Sequence, residues 1–135
     1  MENIFELQIQ TKGQGLFEFT NKIRNIVSTA PIKTGLCTVF VKHTSASLTI
    51  QENADPSAKH DLEKWLNRLV PENDPHFTHT AEGPDDMPSH IKAALTATSL
   101  SIPFHNGSLC LGTWQGIYLW EHRKTPHTRN IVVAL

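Results

Sequence analysis

The chain has 135 residues, 39% hydrophobic and 19% charged, which is one-domain length with enough apolar content for an ordinary core. Twelve Lys plus Arg against 13 Asp plus Glu give a net charge of −1, and there is no basic run, which argues against a nucleic-acid or membrane-surface binder. No apolar stretch reaches the ~20 residues a membrane helix needs, and Met1–Glu6 lacks a secretory pattern, so a cytoplasmic protein is expected.

Phe5, Leu7 and Ile9 alternate with Glu6, Gln8 and Gln10, the period-two pattern of a strand with one wet face. Lys12–Gly15 reads as a turn, and Leu16–Phe19 as a second strand in a hairpin with the first. Thr20 is placed to cap a helix whose stripe is Ile23, Ile26 and Val27, running to about Ala30. Gly35–His43 and Ser47–Glu52 follow as strands. Asp55-Pro56 is a strong helix start, and Ala58, Leu62, Trp65, Leu66 and Leu69 recur at helical spacing until Pro71. Pro71–Met87 has no periodicity, and so long a connection inside a compact domain is commonly functional. Asp86 and Pro88 open a third helix with Ile91, Ala94, Leu95 and Thr98 on one face. Leu100–Phe104, Leu109–Trp114, Ile117–His122 and Asn130–Leu135 are β-prone, with Asn106-Gly107 a hairpin signal. The order ββ-α-ββ-α-α-ββββ predicts a single α+β domain, a mostly antiparallel or mixed sheet with three helices packed on it. Cys37 and Cys110 both lie in β-like runs and read as buried, reduced thiols.

Eight histidines are many for this length. His43 ends a strand and opens His43-Thr44-Ser45-Ala46-Ser47, whose hydroxyls and N–H groups suit an anionic oxygen, unless the segment is only a polar loop. The stretch His76–His90 gathers His76, His79 and His90 with Glu82, Asp85 and Asp86. Asp86 and His90 are four apart at a helix start, so their side chains can meet as a metal ligand with its orienting carboxylate. Alternatively Asp86 is only a cap. The spacing fits neither a zinc finger nor His-Glu-x-x-His, so a metal site must be assembled from distant segments, with His43 the obvious outside contributor. Trp114, between Gly112 and Gly116, is either a pocket wall or a core residue. Arg123 either grips phosphate or is solvated. There is no Walker loop and no Gly-x-Ser-x-Gly elbow.

Four motifs together resemble one family. They are Val41-Lys42-His43-Thr44-Ser45-Ala46, Thr49-Ile50-Gln51-Glu52-Asn53-Ala54-Asp55, Glu82-Gly83-Pro84-Asp85-Asp86-Met87-Pro88-Ser89-His90-Ile91-Lys92 and Gly112-Thr113-Trp114-Gln115-Gly116-Ile117-Tyr118. The resemblance is to the YjbQ family, also called the secondary thiamine-phosphate synthase family, over essentially the whole of residues 1–135. It implies a homotrimer and a divalent metal, zinc by preference, held by His43, His79 and His90, with His76 the alternative to His79. It also implies a weak thiamine-phosphate synthase activity, joining a pyrimidine diphosphate to a thiazole phosphate with release of pyrophosphate. Under that reading Lys42, Thr44, Ser45 and Arg123 contact the phosphates of a small phosphorylated substrate and Trp114 stacks on it.

The residues themselves strain that reading. Diphosphate chemistry usually employs Mg²⁺ on oxygen ligands, whereas a histidine cluster prefers zinc or a similar ion. The loop with Glu82, Asp85 and Asp86 is acidic, a poor cradle for phosphates. Two alternatives follow: a metal-dependent hydrolase with Glu82 or Asp86 as general base, and a non-catalytic trimeric module with a structural metal.

Overall fold

In the computed structural model, which describes residues 3–135, the element order is the expected one. The strands are β1 (Ile4–Gln10), β2 (Gly15–Glu18), β3 (Gly35–Val41), β4 (Ala46–Glu52), β5 (Ser99–His105), β6 (Ser108–Leu109), β7 (Gln115–Glu121) and β8 (Thr128–Ala134). The helices are α1 (Thr20–Thr29), α2 (Pro56–Leu69) and α3 (Asp86–Leu95).

The strands divide between two antiparallel sheets, β1-β8-β3-β5-β6 and β2-β7-β4. The expected β1–β2 hairpin does not form. β1 pairs with β8, Ile9 opposite Arg129, while β2 pairs with β7, Leu16 opposite Trp120. Gly13 and Gly15 both have positive φ, 141° and 144°, and carry the chain from one sheet to the other instead of closing a two-residue turn.

Period-two alternation decides what faces inward. Val39 and Val41 on β3, Ile102 and Phe104 on β5, and Ile131 and Val133 on β8 point into one core. They meet Leu48 of β4, Ile117 and Leu119 of β7, and Ile23 and Val27 of α1. Each such side chain contributes about 1.5–3 kcal/mol on burial. A second cluster, Leu16, Leu66, Val70, Tyr118 and Trp120, seats α2 on the β2–β7 side.

Three local expectations need correction. Thr20 does not cap α1: Phe19 holds that position without a side-chain bond. The Thr20 hydroxyl instead donates to Glu18 (2.7 Å) and accepts the Ile117 N–H (2.8 Å). Asp55 does cap α2, accepting the Ser57 N–H at 2.9 Å with Pro56 at the first turn. The inner face of α3 is not Ile91–Ala94–Leu95–Thr98; Asp86, Pro88, Ser89, Lys92 and Ala93 are buried, and Leu95 is exposed. Asp86 turns inward against Arg123, and Lys92 turns inward against the Asn67 side-chain carbonyl. Both cysteines are free, but only Cys37 is buried; β6 ends at Leu109, which leaves Cys110 exposed. Burial pushes the Cys37 thiol up to about 11.

Among the described residues, no helix is long and apolar enough to cross a membrane.

Candidate metal centre

The loop before α3 and the first two turns of α3 place His79, Asp86 and His90 together, with one ligand atom from each lying within 4.8 Å of the others. His79 Nε2 lies 2.7 Å from Asp86 Oδ2, and His90 Nε2 lies 3.2 Å from the same oxygen. The i,i+4 spacing of Asp86 and His90 on α3 produces the second contact. Asp86 is almost fully buried, His90 partly exposed, and the His79 side chain 51% exposed, so the group opens to solvent on the His79 side.

The second ring nitrogen of His90 fixes its tautomer. Nδ1 is 2.8 Å from the Thr44 carbonyl, which can only accept, so Nδ1 carries the proton. A neutral His90 then aims the Nε2 lone pair at a carboxylate oxygen. Two acceptors facing each other at 3.2 Å need a cation between them, either a second ring proton or a metal ion.

Arg123 holds the carboxylates. Its Nε donates to Asp85 Oδ2 (3.0 Å), Nη1 to Asp86 Oδ1 (2.7 Å) and Nη2 to the Glu82 carbonyl (2.9 Å). The Lys124 N–H also donates to Asp85 Oδ2, at 2.9 Å. Burial works to raise the Asp86 pKa, but the His79 hydrogen bond, the charge His90 carries when its ring holds a second proton, and the Arg123 charge outweigh it and keep the group below its ordinary value. Asp85 is likewise lowered: burial opposes, and the Lys124 N–H and Arg123 prevail.

Other residues expected at the site lie elsewhere or act differently. His43 stands outside the group. Its Nε2 accepts the Asn130 N–H at 2.8 Å, so a neutral ring carries its proton on Nδ1 and has no free lone pair. Burial, then the Arg129 charge, lower its pKa. Of His76 and His79, the fold brings His79 to Asp86, while His76 is exposed. Glu82 is exposed and contributes a main-chain carbonyl to Arg123. Thr44 supplies its carbonyl to His90, and the Ser45 hydroxyl accepts from Arg129 Nη2 at 2.9 Å. Lys42 lines a separate cleft of about 440 Å³ with Gln8, Asn130 and Val132, none of them in the histidine group. Trp114 is 62% exposed.

Two further arrangements lie outside the sequence-based expectations. Asp85 is buried beside Arg123, a role its charge alone did not reveal. Glu121 and Arg129 form a buried ion pair, joined by Thr11 Oγ1, which donates to Glu121 at 2.9 Å. A carboxylate and a guanidinium at opposite ends of the β7–β8 connection were the available signal.

The family model for the UPF0047, YjbQ-like proteins matches residues 5–135. The chain belongs to this family. It is 56% identical to a UPF0047 protein of Synechocystis over 127 residues, which covers 94% of this chain and 86% of that one. It is 44% identical to YjbQ of Escherichia coli O157:H7 over 130 residues, 96% of this chain and 94% of the other. A crystal structure of an uncharacterised YjbQ/UPF0047 protein from Clostridium acetobutylicum superposes with a TM-score of 0.88 at 34% identity, covering 97% and 99% of the two chains.

Kinship with YjbQ-like proteins corrects the expected thiamine-phosphate synthase function. The relatives are described only as UPF0047 proteins, and the Clostridium protein as uncharacterised, so the family carries no assigned synthase activity. The geometry agrees. Arg123 is committed to Asp85 and Asp86, the Ser45 hydroxyl to Arg129, and Lys42 lies in another cleft. Of the residues expected to contact phosphate, Arg123 is thus turned to the carboxylates and Lys42 to another cleft.

Proposed function

We propose that this YjbQ-like protein is a metalloprotein whose His79, Asp86 and His90 bind one divalent transition-metal ion, zinc by preference. The observation that carries this reading is His90. With Nδ1–H donated to the Thr44 carbonyl, its Nε2 lone pair converges with His79 on one oxygen of a buried carboxylate. Ligand atoms 2.0–2.2 Å from a tetrahedral zinc ion lie roughly 3.4 Å apart, and here the two histidine nitrogens lie 2.7 and 3.2 Å from Asp86 Oδ2, with all three ligand atoms within 4.8 Å of one another. Imidazole nitrogen with one carboxylate oxygen suits zinc or a neighbouring metal better than Mg²⁺.

The surrounding residues support this role. The Thr44 carbonyl orients His90, and Arg123 orients Asp86 through Oδ1 and leaves Oδ2 for the ion. Three protein ligands with a solvent-facing side leave coordination open, and such an ion supplies Lewis-acid activation of a bound small molecule. His79, the most exposed ligand, borders that opening.

The outer face of the five-stranded sheet leaves Leu36 and Phe40 exposed on β3, and Ile4 on β1. We include in the proposal that this face is covered in a homotrimer, which sedimentation velocity on the purified chain would test.

Elemental analysis of the purified protein tests the metal assignment. One equivalent of metal should accompany the parent and be lost in His79→Ala and His90→Ala, with His43→Ala unaffected. Full metal content in both variants would remove the proposal.

A further inference from the structure

A second polar cleft, of about 140 Å³, opens between α2, α3 and the end of β7, lined by Gln14, Glu63, Asn67, Lys92, Trp120 and His122. None of the proposed metal ligands is in its wall. Lys92 is the notable member. It is 4% exposed, yet among the described residues it has no carboxylate within ion-pair distance. Its single hydrogen bond is to Asn67 Oδ1, at 2.6 Å. An ammonium has three N–H donors, so two are unmatched, and a buried charge without a counter-ion is costly.

The neighbouring groups also present donors. Because Asn67 Oδ1 accepts from Lys92, its amide NH₂ is left for the cleft. His122 is 1% exposed, and its Nδ1 is a buried side-chain atom without a hydrogen-bond partner. Its Nε2 pairs with Ser47 Oγ at 2.8 Å. If the serine hydroxyl donates, both Ser47 and Nε2 are satisfied and Nδ1 carries the unmatched N–H; the opposite tautomer leaves both the hydroxyl proton and Nδ1 unmet. The carboxylates whose charge reaches Lys92, Glu72 and Asp85, are paired with Lys124 at 2.7 Å and with Arg123 at 3.0 Å. Glu63 accepts the Leu16 N–H at 2.7 Å. Glu121 is held by Arg129, by Thr11 and by the Arg123 N–H. Lys92, Asn67 and His122 thus turn unmatched donors toward one cleft.

We infer that this cleft is a binding site for a small oxyanion, a carboxylate or a phosphate group, with Lys92 as its counter-ion and the Asn67 amide as its second donor. It is separate from the metal proposal and stands without it. Lys64, exposed beside the cleft, is a further cation on the approach.

The test is an NMR titration of the ¹⁵N-labelled full chain with sodium acetate and, separately, inorganic phosphate, against sodium chloride at matched ionic strength. Saturable shifts at Lys92, His122 and the Asn67 side-chain amide with either oxyanion, absent with chloride, are expected; whichever of the two binds more tightly names the source. Lys92→Met should weaken binding at least tenfold, the loss of about one charge-assisted hydrogen bond. Asn67→Leu, at an exposed position, should weaken it severalfold and serves if Lys92→Met does not fold. His79→Ala should bind as the parent does, which keeps this result apart from the metal site. No saturable shift, equal shifts with chloride, binding that survives both substitutions, or loss in His79→Ala would overturn the assignment.

Discussion

Arg123 is the residue on which the candidate metal centre turns, and Arg123→Met is a sharp probe of it. The substitution keeps the aliphatic stem and removes three donors, at 3.0 Å to Asp85, 2.7 Å to Asp86 and 2.9 Å to the Glu82 carbonyl. The Asp86 side chain is 2% exposed and that of Arg123 16%, so a nearly buried carboxylate loses its partner. Breaking a buried pair costs about 3–5 kcal/mol. The residual solvent contact of Arg123 puts the loss near the lower end, about 3 kcal/mol, a large part of the 5–15 kcal/mol typical of a domain. Urea unfolding of metal-free protein, followed by tryptophan fluorescence, reads that loss. Zinc competition against a chromophoric chelator should show affinity falling about 10–100-fold, because Asp86 is no longer oriented. Arg123→Lys should recover only part of both, since an ammonium cannot span the two carboxylates as the guanidinium fork does. Parent-like stability together with parent-like zinc affinity in Arg123→Met would refute this account of the site.

Three further outcomes are expected. Glu121→Gln leaves Arg129 buried and unpaired and should cost about 3–5 kcal/mol in urea unfolding, with a Glu121→Leu/Arg129→Met double variant more stable than Glu121→Gln alone. Burial, then the Lys92 and Arg129 charges, lower the His122 pKa from 6.5 to about 3, so between those values the unfolded chain holds a proton that the folded chain does not. Stability from this group is therefore complete above 6.5 and lost as pH falls toward 3, with Asp85 and Asp86 adding to the loss below 3.8; the urea midpoint should drop between pH 7 and pH 4, and His122→Gln should flatten the drop. Gly116→Ala places a Cβ 2.6 Å from Glu18 Oε2 and 3.0 Å from Asn53 Cβ, and this crowding should cost about 1–3 kcal/mol in the same assay.

Local signals in the sequence were reliable and long-range ones were not. Asp55-Pro56 marked the start of α2 because a cap and its proline act within one turn. Asp86 and His90 were legible as a pair because helical spacing alone joins them. The partition into two sheets was not legible. β1 finds β8 at the far end of the chain, and turn residues at Gly13 and Gly15 read equally well as a hairpin. The inner face of α3 was misread for a related reason: Lys92 and Asp86 look like surface residues until Asn67 and Arg123 are brought against them. His43 was a natural choice of ligand by residue type, and only the backbone of β8 reveals that Asn130 has claimed its Nε2.

The central claim is a metal ion on two histidines and one carboxylate, and zinc-edge X-ray absorption on the zinc-loaded protein tests it most directly. Two imidazole nitrogens at about 2.0–2.1 Å are expected, with oxygen completing the shell and no sulfur. Failure to bind zinc, or a shell with three imidazoles, would contradict it.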